Sequence, residues 1–310
     1  MSSKNSLLIR VAELYYQHKL NQNEIAKIIG TSRPSVSRLL DEARDQGIVT
    51  FTINTPIKKN ASLSEAIRMK YELKDAVVIT GSPDYETSMA NVGKAVSEYL
   101  LGFLHDNMSI GITWGQAVRE LVNCLPETNF ENILAVQLIG SIGVLDQSLD
   151  GTELVYRLAK KLNGKYCILN SPAYVTSKQL QQEMLDQPQI KEVIEYGRKV
   201  DITVNGIGTL EPQHNTLRKA GSLNNMDVMA LKAKGAVGHL MGRMYNLNGV
   251  EVQRENLYPV AGELDILRNA PISIGCVVSA DRAEPTIGAL NGKLVNVLIC
   301  DEALALKILE

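Results

Sequence analysis

Arg33, Ser37 and Arg38 lie in the stretch Asn21–Gln46 at spacings that put them on one side of a short helix, near its N-terminus, together with Pro34. Two guanidinium groups and a hydroxyl presented there can hydrogen-bond base edges and phosphates, and that end of the second helix is what meets base edges in helix-turn-helix proteins. A different chemistry is open to three glycine-bearing loops, Thr113-Trp114-Gly115, Gly140-Ser141-Ile142-Gly143 and Gly206-Ile207-Gly208-Thr209. Each follows an apolar run, and glycine there lets backbone N–H groups approach an anion. Strand ends that only turn carry glycines too. None of the three loops is a G-x-G-x-x-G fingerprint or a P-loop.

Enzyme signatures are thin. His18, His105, His214 and His239 show no metal-ligand spacing, and no G-x-S-x-G elbow occurs. Glu263 and Asp265 form a nearby carboxylate pair, a pattern that surface charge also produces. No metal, no cofactor and no catalytic group is expected from these residues, although catalytic partners need not be sequence neighbours.

The elements that must hold the arginines are legible in the sequence. Asn21 can cap a helix with Glu24 completing a capping box, and Ile25, Ile28 and Ile29 form its apolar stripe. Gly30 permits the tight exit, Ser32 can cap the next helix, and Pro34 fits its first turn. Val36, Leu39, Leu40 and Ala43 then face inward. A preceding helix over residues 6–18 offers Leu7, Leu8, Val11, Leu14 and Tyr15. After Gly47 the run IVTFTINTP reads as a strand or one arm of a wing. Lys58 and Lys59 suit either phosphate contacts or a solvated turn. Residues 61–73, with Leu63, Ile67 and Tyr71 spaced by four, suit either a linker helix with a dimer seam or a docked surface helix.

From Ala76 onward strands alternate with helices. AVVIT (76–80), MSIGITWG (108–115), ILAVQLIGSIG (133–143), YCIL (166–169), DITVNGIGTL (201–210), PISIGCVV (271–278) and LVNVLICD (294–301) are the apolar runs. Val92, Val96, Leu100 and Phe103, then Val118, Leu121, Val122 and Leu125, mark helices between them, and another falls near 151–163. The alternation implies an α/β fold with a doubly wound, mostly parallel sheet holding ligands at the strand C-termini.

A chain of 310 residues exceeds one helix-turn-helix module, so two domains and a connector are expected: a DNA-binding head over 1–56, a linker helix over 57–73 and an effector-binding and oligomerisation domain over 74–310. Nine Lys/Arg against five Asp/Glu give residues 1–59 a net +4, which leaves −6 on the remainder. A basic head on an acidic body points to nucleic acid at the head only. Cys124, Cys167, Cys276 and Cys300 are far apart with no C-x-x-C pair, as expected of buried reduced thiols in a cytoplasmic protein. The N-terminal residues do not read as a signal peptide, no run is long enough to span a bilayer, and no membrane partner is expected.

LIRVAELYYQHKLNQNEIAKIIGTSRPSVSRLLDEARDQGIV resembles the head of the SorC/DeoR-type bacterial regulators of sugar operons. The likeness continues through GITWGQAV (111–118), VQLIGSIG (136–143), VNGIGTL (204–210), KGAVGHLMGRMYNLNG (234–249) and GALNGKLVNVLICDEALA (288–305), nearly the whole chain. It implies a winged helix-turn-helix joined to a domain similar to sugar-phosphate isomerases and glucosamine-6-phosphate deaminases, usually in tetramers on paired operator sites. A phosphorylated sugar alters operator binding in such proteins. By resemblance, Thr113, Trp114, Gly115, Gly140, Ser141 and Gly143 belong to the phosphate and sugar cleft. Arg282 falls where relatives usually have a Lys reaching the phosphate, a mild departure because the charge is kept. His239 stands where an Asp often binds sugar hydroxyls; a satisfied histidine is the plain alternative. Ile139 occupies the position of a Schiff-base Lys in the deoxyribonucleoside regulator, so covalent capture of deoxyribose phosphate is not expected here.

The expected function is therefore a ligand-responsive transcription factor of a carbohydrate operon, not an enzyme. Its expected partners are double-stranded operator DNA, a phosphorylated sugar and other copies of itself as a dimer or tetramer. Gln22, Arg33, Ser35, Ser37 and Arg38 are the expected DNA contacts. Thr113, Trp114, Gly115, Gly140, Ser141, Gly143, Gly206, Gly208, His239 and Arg282 are the expected effector contacts. The rival is an isomerase- or deaminase-like enzyme carrying a DNA-binding head, and a third possibility is an interaction module with a vestigial cleft.

Overall fold

A computed structural model describes residues 3–49, 57–143 and 147–310. The chain divides into two compact units, Met1–Pro56 and Ile57–Glu310.

In the first unit α1 (Ser3–Ala12) continues into a π-helical turn (Glu13–Gln17), followed by α2 (Gln22–Ile29) and α3 (Arg33–Asp45). Asn21 caps α2 in a complete capping box with Glu24, satisfying N–H groups that the first turn leaves unpaired. Gly30 ends α2 in the left-handed region at φ 70°. Ser32 caps α3, with Pro34 in its first turn. Val11, Ile25, Ala26, Val36 and Leu40 make one apolar cluster, and Leu8, Ala12 and Ala43 another. Two expected core residues are corrected: Leu7 is 38% exposed and Ile28 49% exposed. Three helices of this size have room for only one stripe each, and Ala12 and Ala26 fill those edges instead. The expected wing lies largely in 50–56, outside the described residues.

The second unit begins with β1 (Lys58–Lys59), an edge strand antiparallel to β2 (Asp75–Thr80). Lys59 pairs with Glu98 at 3.3 Å. Between these strands α4 (Ala61–Lys70) buries Ile67 fully, and Leu63 and Tyr71 pack on the same cluster. Tyr71 donates to the Ile308 carbonyl at 2.9 Å. Within the single chain this helix is docked on the core of the second unit.

The chain then runs through α5 (Tyr85–Phe103), β3 (Ser109–Ile112), α6 (Gln116–Cys124), β4 (Leu134–Gln137), α7 (Gly151–Lys161) and β5 (Lys165–Cys167). It returns by β6 (Tyr174–Val175), α8 (Lys178–Leu185) and α9 (Pro188–Gly197) to β7 (Ile202–Gly206). β8 (Gly208–Thr209), α10 (Thr216–Lys219), α11 (Asn225–Ala233), β9 (Ala236–Leu240), β10 (Arg243–Asn246), β11 (Tyr258–Pro259) and α12 (Asp265–Asn269) follow. β12 (Ile272–Val277), α13 (Ala283–Asn291), β13 (Val297–Asp301) and α14 (Glu302–Leu309) complete it.

The main sheet has the order β1-β2-β13-β12-β7-β3-β4-β5, parallel throughout except for β1. Both of its faces are covered, which explains why the strands read as continuous apolar runs. In β13, Val297 and Ile299 enter the cluster of Val92, Val96, Val118 and Leu121, while Leu298 and Cys300 enter that of Ile67, Ile207, Val277 and Leu304. β8, β9 and β10 form a small separate antiparallel sheet. Of the four cysteines, Cys276 and Cys300 are buried as expected, whereas Cys124 is exposed and Cys167 half-buried; all four are free thiols. Among the described residues no helix is long and apolar enough to cross a membrane.

One topological feature positions the site. β3 and β7 are neighbours, yet the chain leaves β3 toward β4 and β5 and leaves β7 toward β12 and β13. Their outgoing connections diverge, which opens a crevice at the C-terminal ends of the two strands.

Candidate functional site

On the head, Gln22, Arg33, Pro34, Ser37 and Arg38 line one shallow depression. The side chains at the two ends of α3 are used differently. Arg44, near its C-terminus, pairs with Asp41, and Gln46 reaches back to Glu42 at 3.0 Å. Arg33 and Arg38 are exposed, and neither makes an ion pair among the described residues. Unpaired guanidinium groups around a helix N-terminus suit phosphate and base-edge acceptors. Ser35 departs from its expected set: its hydroxyl lies 2.9 Å from that of the capping Ser32, and it does not line the depression.

In the second unit a cleft of about 380 Å³ opens at the β3/β7 divergence. Trp114, Gly115, Gly206, Gly208, His239 and Arg282, all expected on sequence grounds, line it together. Gly115 has φ 116°, a conformation that side chains resist, and it precedes α6 without any side-chain cap. The first turn of α6, through Gln116 and Ala117, therefore faces the cleft with uncapped N–H groups, the arrangement that favours an anion.

Arg282 sits in a 3-10 turn (Ala280–Arg282) that leads into α13 and is only 7% exposed. Its Nη2 donates to the Tyr85 hydroxyl at 3.1 Å and its Nη1 to the Ile207 carbonyl at 3.4 Å, while its Nε has no partner. No carboxylate pairs with it among the described residues. Asp281, the preceding residue, feels the Arg282 charge without bonding it, and a buried guanidinium that no anion bonds suits an arriving one. Trp114 Nε1 and His239 Nε2 are also buried and unpartnered, with the two rings 6.1 Å apart. Buried polar atoms are nearly always paired, so such a group around one cleft fits a polar ligand.

Burial, with the nearby Arg282 charge adding to it, pushes the His239 imidazole down to about 4, so it is neutral at pH 7. A neutral ring can donate from one nitrogen and accept at the other, as a hydroxyl-bearing ligand requires. Burial raises the Tyr85 phenol, with Arg282 opposing. For Asp281 burial acts upward, but hydrogen bonds from Ser279 and His214 and the positive charges nearby outweigh it, and its carboxyl lies below the usual range.

Four expected contacts lie off the cleft wall. Thr113 is buried and does not line the cleft. Gly140 packs so closely on the Pro172 carbonyl that a Cβ would come within 2.4 Å of it. Ser141 donates to Asp150 at 2.5 Å, and Gly143 makes a turn at φ 67°. The reason is position: β4 lies one strand beyond β3, away from the divergence, so its loop turns toward Ser171 and Pro172 instead. Residues 144–146 of the same loop are outside the described set. Tyr85, Glu86, Gln116, Gln213, His214 and Lys219 line the cleft without having been expected. The polar run Glu211–Lys219 directly after a strand-end glycine was the available signal for the last three. Glu263 and Asp265 are elsewhere, the latter paired with Arg268.

Residues 55–310 match the Sugar-bind family, described as a sugar-binding domain, and residues 6–59 match a Crp-like helix-turn-helix domain. The chain is 28% identical over 305 residues to the sorbitol operon regulator of Klebsiella pneumoniae, covering 96% of each. It is likewise 28% identical over 301 residues to the deoxyribonucleoside regulator of Bacillus subtilis, again covering 96% of each. The crystal structure of the full-length sorbitol operon regulator SorC from Klebsiella pneumoniae aligns over 100% of both chains with a TM-score of 0.72 at 27% identity.

Proposed function

The chain belongs to the Sugar-bind family of SorC-type transcriptional regulators, and from that premise we propose that it controls a carbohydrate-utilisation operon in response to a phosphorylated sugar or polyol. The observation that carries the effector class is Arg282, a cation buried at the cleft that no carboxylate bonds among the described residues, beside the uncapped start of α6. A phosphate supplies what both lack. Trp114 Nε1 and neutral His239 then suit the sugar's hydroxyls, which need donors and acceptors rather than charge.

The head is the operator-binding part, with Arg33 and Arg38 as its principal cations and Gln22 and Ser37 beside them. A single head has a small footprint, and operators are commonly two-fold repeats, so the working form is a dimer or a tetramer. The effector binds without a covalent bond in this reading, since Ile139 is buried, apolar and unable to form a Schiff base.

The enzymatic rival needs a positioned base in the cleft. Of the groups that line it, Glu86 accepts from Gln116 at 3.0 Å at the exposed mouth and His239 is too weak a base near neutrality, which leaves His214, held by Asp281 at 2.9 Å and stacked on Tyr85, as the base that the rival would have to use. Operator-release titrations with phosphorylated sugars and polyols, each beside its dephosphorylated form, test the proposal. Release by a phosphorylated member alone is the expected result, and equal release by both forms would overturn the effector class. Measurable turnover of the releasing compound would favour the rival.

A further inference from the structure

Tyr85 and His214 both line the cleft, and their contacts form one connected set. The Tyr85 hydroxyl accepts from Arg282 at 3.1 Å and donates to Gln116 Oε1 at 3.4 Å. Its ring centroid lies 5.9 Å from the guanidinium carbon, and the ring stacks on His214 at 4.6 Å and 9°. His214 in turn meets Asp281, the residue before Arg282, at 2.9 Å. A single aromatic ring thus touches the buried cation, the first turn of α6 and the segment 211–219. That segment contributes Gln213, His214, Thr216 and Lys219 to the cleft wall.

We infer that Tyr85 is a positioning residue for Arg282 and that its stack on His214 ties the anion anchor to the cleft-lining segment 211–219. Of the hydrogen bonds that hold the guanidinium, the one to Tyr85 is the shorter, and the other, at 3.4 Å, is long. Without the phenol the fork would rotate about a flexible stem, and an incoming anion would have to order it again. The second link runs through planar stacking, which needs the ring but not the hydroxyl. An anion that fixes Arg282 fixes Tyr85, and the stacked His214 then holds 211–219, with Lys219, against the same ligand.

The inference rests on the phosphorylated-effector reading and is tested separately from it. Trp114 is the sole tryptophan and lines the cleft, so its fluorescence reports occupancy directly. The full chain is titrated with inorganic phosphate as wild type, Arg282→Ala, Tyr85→Phe and Tyr85→Ala, and backbone hydrogen exchange of 211–219 is followed with and without saturating phosphate. Tyr85→Phe should weaken phosphate about 2- to 12-fold, the value of one ordinary hydrogen bond. At saturation it should still slow exchange in 211–219, because the stack remains. Tyr85→Ala should lose affinity and slowing together. Wild-type affinity in Tyr85→Phe, or wild-type slowing in Tyr85→Ala, overturns the inference while leaving Arg282 as the anchor. A phosphate response that is absent from the wild type, or unchanged in Arg282→Ala, overturns the effector reading and this inference with it.

Discussion

Gly208 and His239 face each other in antiparallel register between β8 and β9, and a Cβ at Gly208 would come within 2.1 Å of His239 Nε2. The glycine is thus what allows a large ring to lie against the cleft floor. Gly208→Ala should displace the imidazole and cost about 1–3 kcal/mol, the usual penalty for overfilling a packed site. His239→Ala removes the ring that the methyl group meets. In denaturant melts of both single variants and the double variant, the double should be less destabilised than the sum of the two. Simple additivity would mean that the two residues do not press on one another.

The same histidine gives a pH signature. Folded His239 takes a proton only near 4, whereas an unfolded histidine takes one near 6.5. Between those values the unfolded chain binds more protons, so this contribution is complete above about 6.5 and is lost as pH falls toward 4. The shift sets an upper bound of roughly 3 kcal/mol on the loss. His239→Gln keeps a neutral polar group and should flatten that part of the stability–pH curve. Curves that stay parallel from pH 7 to 4.5 would show that the folded ring titrates as an unfolded histidine does, without the depression that burial imposes.

On the head, Arg38→Ala should weaken operator binding by about 1–3 kcal/mol if the guanidinium reads a base. A phosphate contact would give a similar loss on every sequence and a shallower dependence on salt. The fold should survive, because Arg38 points away from the buried Val36 and Leu40. Unchanged affinity on specific and nonspecific DNA alike would remove Arg38 from the interface.

These predictions draw unequally on what could be read in the sequence. The head's helix ends were legible because a cap is local chemistry: Asn21 with Glu24, Gly30 and Ser32 each act within four residues. Ile28 misled because a stripe at i, i+3 and i+4 does not say which edge meets the neighbours, and here Ala26 took the buried edge. Alternating runs gave the strands and their parallel pairing, and therefore Gly115, Gly206 and Gly208 at one sheet edge. Strand order was not legible, so the loop at Gly140–Gly143 looked equivalent although it lies one strand away. Tyr85 was out of reach altogether, since its partner Arg282 is 197 residues distant and meets it only once the sheet is assembled.

Arg282 carries the decisive prediction, and charge sets its terms. The second unit, which includes Lys58 and Lys59, holds 25 Lys/Arg against 29 Asp/Glu, an excess of four acidic groups, so its overall field opposes an incoming dianion. Local donors must overcome that field, and Arg282 is the buried cation among the cleft's described residues. Hydrogen bonds to charged groups contribute about 1.5–3 kcal/mol, so Arg282→Ala should weaken effector affinity roughly 10- to 150-fold. Arg282→Lys should keep part of the response, because the charge stays while the fork that meets Tyr85 and Ile207 is lost. Loss of the cation also removes an unpaired buried charge, so the empty protein should be as stable as the wild type or more so. Effector titrations of operator release, run beside melts without ligand, separate the two effects. Superimposable titrations would mean that the phosphate, if one binds, is held by the start of α6 and not by Arg282.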